Sequence, residues 1–380
     1  MKKTLRNYYI ILLVLLVLLP TAFFAVFGRF FDTTNYENRT LAAFPATATL
    51  EDAENFPGRF ESWFNDHLPF RNQFVTLNGI LDYEVLGTAS SESVILGKDG
   101  WLFYKGAQVN DEDPVADYQG TNLYSEEELS LIRTNMLAAR DELAGRGCEF
   151  IIFIAPNKER IYSEYMPDAY GAPGEENRLR QVTEYLQNTT DLTVICPYED
   201  LMNFRKEHPE LPIYYKYDTH WNYLGSYVGV EKLVNALGYY HPTLEQVTLA
   251  EAEPPVEDLA TLLHLGQYLT DDKAYLIQDY TTMFITSESS DDHTEFRYHN
   301  EFESGDQRKL FVIGDSFSTM MGNYIACNFN DTYTNFYYNY NYELLLREQP
   351  DIVVYETVER YMNNMLHFSI VDGIDAEPEN

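Results

Sequence analysis

Four short runs in this chain are largely apolar, EFIIFIAP, DLTVICP, KLFVIG and PDIVVYET, and the first three are each followed by a segment of helical character. A strand of that kind must be covered on both faces, which is the condition of a parallel sheet flanked by helices. Strands alternating with helices predict an α/β domain on a mostly parallel sheet. Ser125 with Glu128 three residues later is a capping box, and it opens a helix through LSLIRTNMLAARDELAG. Further helices are expected near 175–187 and 199–206, then along NYLGSYVGVEKLVNALG, FSTMMGNYIACNF and YELLLREQ, with another strand near TYTNFYY. SVILGKDGWLFY reads as a hairpin around Lys98-Asp99-Gly100. Upstream, Phe60, Trp63, Phe64 and Leu68 recur at the spacing of a short amphipathic helix. The stretch from about 241 to 305 is polar and mixed, and reads as an insertion of short strands and loops.

Lys2, Lys3 and Arg6 precede an apolar run from about Tyr8 to Phe27. That length is enough to cross a bilayer core, and the preceding charges place the N-terminus in the cytoplasm. A cleaved secretory signal and a buried core helix are the alternatives; the exit, FFAVFGRF, shows no small-x-small cleavage site. The expected division is a cytoplasmic stub and anchor over 1–30, a juxtamembrane segment over 31–89, and a catalytic domain over 90–380. The bulk would then lie outside a bacterial plasma membrane as a single-pass protein. With 26 basic against 60 acidic residues the net charge is −34, which argues against a nucleic-acid partner. Cys148, Cys196 and Cys327 are too few, and odd in number, to form a disulfide framework. Cys148 precedes one strand and Cys196 follows the next, so in parallel neighbours they lie at opposite ends.

In open α/β sheets, functional groups gather at the carboxyl ends of the strands. There the chain places Gly314-Asp315-Ser316-Phe317-Ser318, a turn between a buried strand and a helix. A serine on such a turn is exposed, and helix N-terminal amides can stabilise an oxyanion. The same serine could simply cap the helix. Asp218 and His220 are two apart, so in extended backbone they project to one side and can reach a common point. With Ser316 they supply nucleophile, base and orienter. The same two residues could instead ligate a metal, but no third and fourth ligand stands at a supporting spacing. No metal and no cofactor is expected.

At these residues the chain resembles the alginate O-acetyltransferase type of SGNH-hydrolase-like proteins, including the D-H-H-W proteins of Gram-positive bacteria. The phrases that carry the resemblance are ENRTLAAFP, FESWFNDHLPFR, LGKDGWLFY, IAPNKERIY, YYKYDTHWNYLG, FVIGDSFS and PDIVVYETVERY, in the family's order. The D-H-H-W letters stand as Asp218-Thr219-His220-Trp221, with Thr in place of the first His. The resemblance implies a three-layer SGNH-like domain with circularly permuted motif order, in which the Asp-x-His pair precedes the Ser. It implies Ser316 as nucleophile, His220 as base and Asp218 as orienter. It also implies acetyl transfer onto an exported polysaccharide, with a multispanning membrane acyltransferase as donor. An O-acetyl esterase, or a non-catalytic glycan-binding or scaffold protein, is the alternative. For the oxyanion hole the candidates are the amide of Ser316 or Phe317, then Asn157 and Lys158 at the end of EFIIFIAP. Asp315 and Trp221 are supporting candidates. Arg360 is a weaker one, and could equally pair with Glu356 or Glu359. The tyrosines clustered at Tyr333–Tyr342 could stack on sugar rings or pack inward.

Overall fold

A computed structural model describes residues 2–27, 41–45, 49–67, 70–106, 113–255, 257–271, 273–278, 285–291, 293–300 and 306–374. It divides into two compact units, 1–91 with 260–269, and 92–259 with 270–380.

In the first unit, Lys2–Phe27 is one helix. Its side chains at 2–5, 16–17, 20–21 and 24–25 lie outside the described residues. Among the described residues no helix is long and apolar enough to cross a membrane, so the expected spanning helix is not carried by the structure. The aromatic helix runs over Leu50–Asp66, longer than its apolar spacing suggested, because Thr49 and Asp52 form a capping box upstream. Phe60 stacks on Phe56 and Phe64, with centroids 5.7 and 6.1 Å away. Leu68, and residues 37–40 of the first matching phrase, lie outside the described residues.

The second unit is built on a seven-stranded sheet. Ahead of it, strands β1 (Val94–Leu96) and β2 (Leu102–Tyr104) form the expected hairpin, Val94 opposite Tyr104. The sheet strands are β3 (Glu149–Ala155), β4 (Thr193–Ile195), β7 (Ile285–Ser289), β8 (Glu295–Asn300), β9 (Asp306–Gly314), β10 (Phe329–Phe336) and β11 (Ile352–Val358). Their order is β4-β3-β11-β9-β10-β8-β7. The first five are parallel, and β8 and β7 add an antiparallel edge.

Successive side chains of a strand alternate faces, and both faces of this sheet are buried. Ile151, Phe153, Leu310, Val312, Ile352 and Val354 join one core with residues of the helices Tyr198–Glu207, Tyr223–Gly229 and Ser318–Ala326. Ile152, Ile154, Phe311, Ile313 and Val353 join the other, against the helices Glu126–Ala144, Arg178–Thr189 and Tyr342–Glu348. Each fully buried aliphatic contributes about 1.5–3 kcal/mol of transfer free energy, so this double-faced burial is what holds the sheet. The result is the expected three-layer α/β arrangement.

The described residues of the segment 241–305 form short strands and loops, and part of the segment joins the main sheet. Strands β5 (Leu249–Ala252) and β6 (Ala274–Ile277) do pair apart from the main sheet. β7 and β8, however, extend that sheet. β8 buries Tyr298 and Asn300 while exposing Arg297 and His299, and such a half-buried edge strand reads as polar sequence. Among the described residues no disulfide links the three cysteines. Burial pushes the thiol of each up to about 12, so they stay protonated.

Candidate active site

Three carboxyl ends meet in the middle of the sheet: β9 leads to Ser316, β3 to Asn157 and Lys158, and β11 to Arg360. Gly314 ends β9 where the chain must turn under its neighbour. A Cβ there would lie 2.6 Å from Glu356 Oε2, so only glycine fits. The turn is then stapled by Asp315, whose Oδ1 accepts the Phe317 N–H at 2.9 Å and whose Oδ2 accepts the Val358 N–H at 2.7 Å. Its own N–H donates to Glu356 Oε2 at 3.0 Å. Burial holds both carboxyls above their ordinary values, Glu356 well above. Asp315 therefore positions the serine turn and offers no donor to an oxyanion.

Residues 216–220 are a run of bends rather than extended backbone, ahead of the helix Tyr223–Gly229, so Asp218 and His220 meet through a turn and not through strand alternation. Ser316 Oγ lies 2.6 Å from Nε2 of His220, and Asp218 Oδ1 lies 2.7 Å from Nδ1. A carboxylate only accepts, so Nδ1 carries the proton and Nε2 is free to take the one on Ser316. Asp218 Oδ1 also accepts the backbone N–H of His220 at 2.8 Å, and its Oδ2 accepts the Asp258 N–H at 2.8 Å. Burial alone would raise Asp218, but the His220 charge and these hydrogen bonds hold it well below the usual carboxylate range. For His220, burial alone would lower the value. The Asp218 charge and hydrogen bond, with Asp258 behind them, outweigh it and leave His220 above its ordinary value.

Trp221 ties this segment to the serine turn. It is fully buried, its Nε1–H donates to the Phe317 carbonyl at 3.2 Å, and its ring packs on Phe317 and Phe153. The helix behind it comes close because residue 225 is glycine: a Cβ would meet the Ile213 carbonyl oxygen at 1.9 Å.

The oxyanion candidates separate on the same grounds. The Phe317 amide is taken by Asp315, while the Ser316 amide has no partner among the described residues. Lys158 is not a free donor. Its Nζ gives its three hydrogens to the carbonyls of Tyr215, Lys216 and Asp218, at 3.0, 3.0 and 2.7 Å. Burial lowers its value to about 8. It pins the loop that carries Asp218. Asn157 is 2% exposed and its side-chain amide has no partner among the described residues. Its donor therefore stands uncommitted at the carboxyl end of β3. Arg360 pairs with neither expected glutamate. Glu359 binds Arg160 at 2.7 Å, and Arg360 instead lies over the rings of Phe317, Tyr361 and Tyr104 at 5.1, 5.0 and 5.9 Å. Its Nε has no partner among the described residues. In the tyrosine cluster, Tyr333 and Tyr340 pack inward, whereas Tyr338 is 63% exposed just beyond β10.

Asp258 escaped the sequence reading. It lies in a polar stretch crowded with acids, where nothing in the spacing singles it out. Asp218, His220 and Asp258 bring ligand-type atoms within 4.8 Å of one another. A cation there would have to displace the Asp218–His220 hydrogen bond, and both ring nitrogens of His220 already have partners.

Comparison with known proteins bears on this site. "Probable alginate O-acetylase AlgJ" of Pseudomonas putida is 26% identical over 180 residues, 47% of this chain and 42% of that protein. The protein of that name from Pseudomonas aeruginosa is 25% identical over 199 residues, 51% of this chain and 46% of its own. The chain thus spans about half the length of the curated relatives it matches. The fold is similar to that of Bacillus cereus PatB1, solved with a sulfonyl adduct. The TM-score is 0.51 at 16% identity, over 73% of this chain and 99% of that one. Residues 94–338, more than half of the chain, match the family described as "SGNH hydrolase-like domain, acetyltransferase AlgX", and the chain belongs to that family.

Proposed function

We propose that this chain is an extracytoplasmic polysaccharide O-acetyltransferase working by double displacement. The observation that carries the reading is the hydrogen-bonded line from Ser316 Oγ through His220 to Asp218, at 2.6 and 2.7 Å. His220 takes the Ser316 proton as Oγ attacks the acetyl carbonyl, and returns it to the leaving group as the acetyl-serine forms. It then takes the proton of a sugar hydroxyl, which attacks the ester and releases Ser316. The Ser316 amide and Asn157 Nδ2 are the donors we assign to the oxyanion. No cofactor is needed.

The family and the relatives named alginate O-acetylases support a polysaccharide acceptor, and Tyr338 offers an exposed ring for stacking at the mouth of the sheet. A multispanning membrane acyltransferase is the donor we favour, since the exported side lacks acetyl-CoA. The basic residues before the apolar run Tyr8–Phe27 support anchoring by the N-terminal helix, with the rest of the chain outside. Alkaline carbonate should leave the full chain in the membrane pellet; release into the supernatant would remove the anchor.

Turnover of an activated acetyl ester, followed with and without glycan acceptors, tests the reaction. Acetylated glycan formed at the expense of free acetate is expected. Free acetate at a rate indifferent to acceptor would make the chain an esterase.

A further inference from the structure

We propose that Asp258 is a second carboxylate serving His220, a positioning residue that clasps the Asp218–His220 segment and strengthens the imidazole as a proton acceptor. The inference rests on His220 acting as the base.

The clasp is reciprocal. Asp258 gives its backbone N–H to Asp218 Oδ2 at 2.8 Å. Its carboxylate takes both donors of Thr219, the N–H on Oδ1 at 2.8 Å and the hydroxyl on Oδ2 at 2.5 Å. Oδ2 then stands 3.7 Å from Nδ1 of His220, too far for a hydrogen bond and close enough for a strong charge interaction. Both oxygens of Asp218 are therefore fixed, one by His220 and one by Asp258. Thr219, where the resembled motif carries a first histidine, becomes the post that Asp258 holds. Thr219 is 7% exposed, so its donors would lose water and acceptor together if the Asp258 side chain were removed.

Two carboxylates beside one imidazole favour the imidazolium, the form made when Ser316 gives up its proton. The charges around Asp258 account for its own behaviour. Asp218 and His220 face it from the clasped segment, and Lys158 from the end of β3. Glu257 precedes it, and Asp271 binds both the Glu257 carboxylate and the Lys216 amide. Arg360 acts on His220 from beyond β11. Burial, then the Asp218 charge, hold Asp258 above the usual carboxylate range. As pH falls Asp258 and His220 thus take up protons as a coupled pair. Each uptake removes something the reaction needs, the free Nε2 or the supporting charge.

The test is a pH titration of the His220 imidazole by NMR on the full chain in detergent, with 13Cε1-labelled histidine, for wild type and Asp258→Asn. The asparagine keeps the backbone clasp and removes the charge. Its His220 midpoint should fall by about one pH unit, and kcat/KM by about tenfold, with the acid limb flattening from a slope near two toward one. In wild type the His220 resonance should move in two steps, a reading that needs no variant to fold. A single one-proton step in wild type, or a midpoint in folded Asp258→Asn within about 0.2 unit of wild type, would overturn the proposal. The titration reads His220 whether or not Ser316 is acylated. A chain that fails to transfer acetyl would therefore sink the enzyme reading while leaving this one to be judged by itself.

Discussion

Replacing Ser316 by alanine should abolish the acetyl adduct and lower turnover by at least about 10³-fold, while leaving the domain folded. The size of the loss follows from the geometry. Among the described residues no other hydroxyl is aligned on Nε2 of His220, so the variant keeps a base with nothing to activate except water. A factor of 10³ is about 4 kcal/mol in the barrier. The effect on stability is small. Ser316 is half-buried and its side chain makes one described bond, to an imidazole that water can serve in its place. Losing such a bond costs about 1 kcal/mol. Intact mass after incubation with an activated acetyl ester should show one acetyl on wild type and none on Ser316→Ala, with a urea midpoint lowered by no more than a loss of about 1 kcal/mol allows. An adduct of equal yield on the variant would remove Ser316 as nucleophile.

What could be read in the residues, and what could not, divides along a physical line. The parallel strands were legible because burial on both faces leaves uninterrupted apolar runs, such as Ile151 to Ala155. The closeness of Asp218 and His220 was legible because they stand two residues apart, although a run of bends and not extended backbone brings them together, and Ser316 because it follows a buried strand at the mouth of a helix. The edge strands β7 and β8 were not, since one covered face leaves a half-polar pattern. Nor was the fate of Lys158. Its place after EFIIFIAP suggested an oxyanion donor, but the three carbonyls it serves belong to residues more than fifty positions away. Asp258 was hidden for the same reason. Its partners are fixed by how a polar segment folds back, which no periodicity records. Arg360 shows the converse error. Proximity in sequence suggested Glu356 or Glu359 as its partner, yet each is held by a distant group: Glu356 by the Asp315 amide, Glu359 by Arg160.

That last pairing makes Glu359 a sensitive structural residue near the site. Glu359→Gln should destabilise the second unit by about 3–5 kcal/mol, the range for breaking one side of a buried ion pair. Arg160 is 4% exposed and Glu359 is 1% exposed, so neither charge can turn to water. Oε1 of Glu359 takes both Nε and a terminal nitrogen of Arg160, at 2.9 and 2.7 Å, and Oε2 takes the Asn157 N–H at 3.0 Å. Glutamine is the same size but has one acceptor where glutamate has two. If its oxygen faces Arg160, its NH₂ confronts the Asn157 N–H; turned over, it confronts the guanidinium. Either way one donor is left facing another, and the arginine charge is uncompensated. A domain's whole stability is about 5–15 kcal/mol, so a large part of the margin would go. Urea unfolding followed through the buried Trp101 and Trp221 should show the midpoint drop, and Arg160→Met with Glu359→Leu should recover most of it, because an apolar pair of similar volume carries no desolvated charge. The Asn157 amide also loses its anchor in Glu359→Gln, so the residual folded enzyme should be slower than wild type, whereas the same loss of stability placed far from β3 would leave kcat alone. A Glu359→Gln midpoint equal to wild type would mean that Arg160 finds its compensation elsewhere, and that the pair does not hold the end of β3 in place.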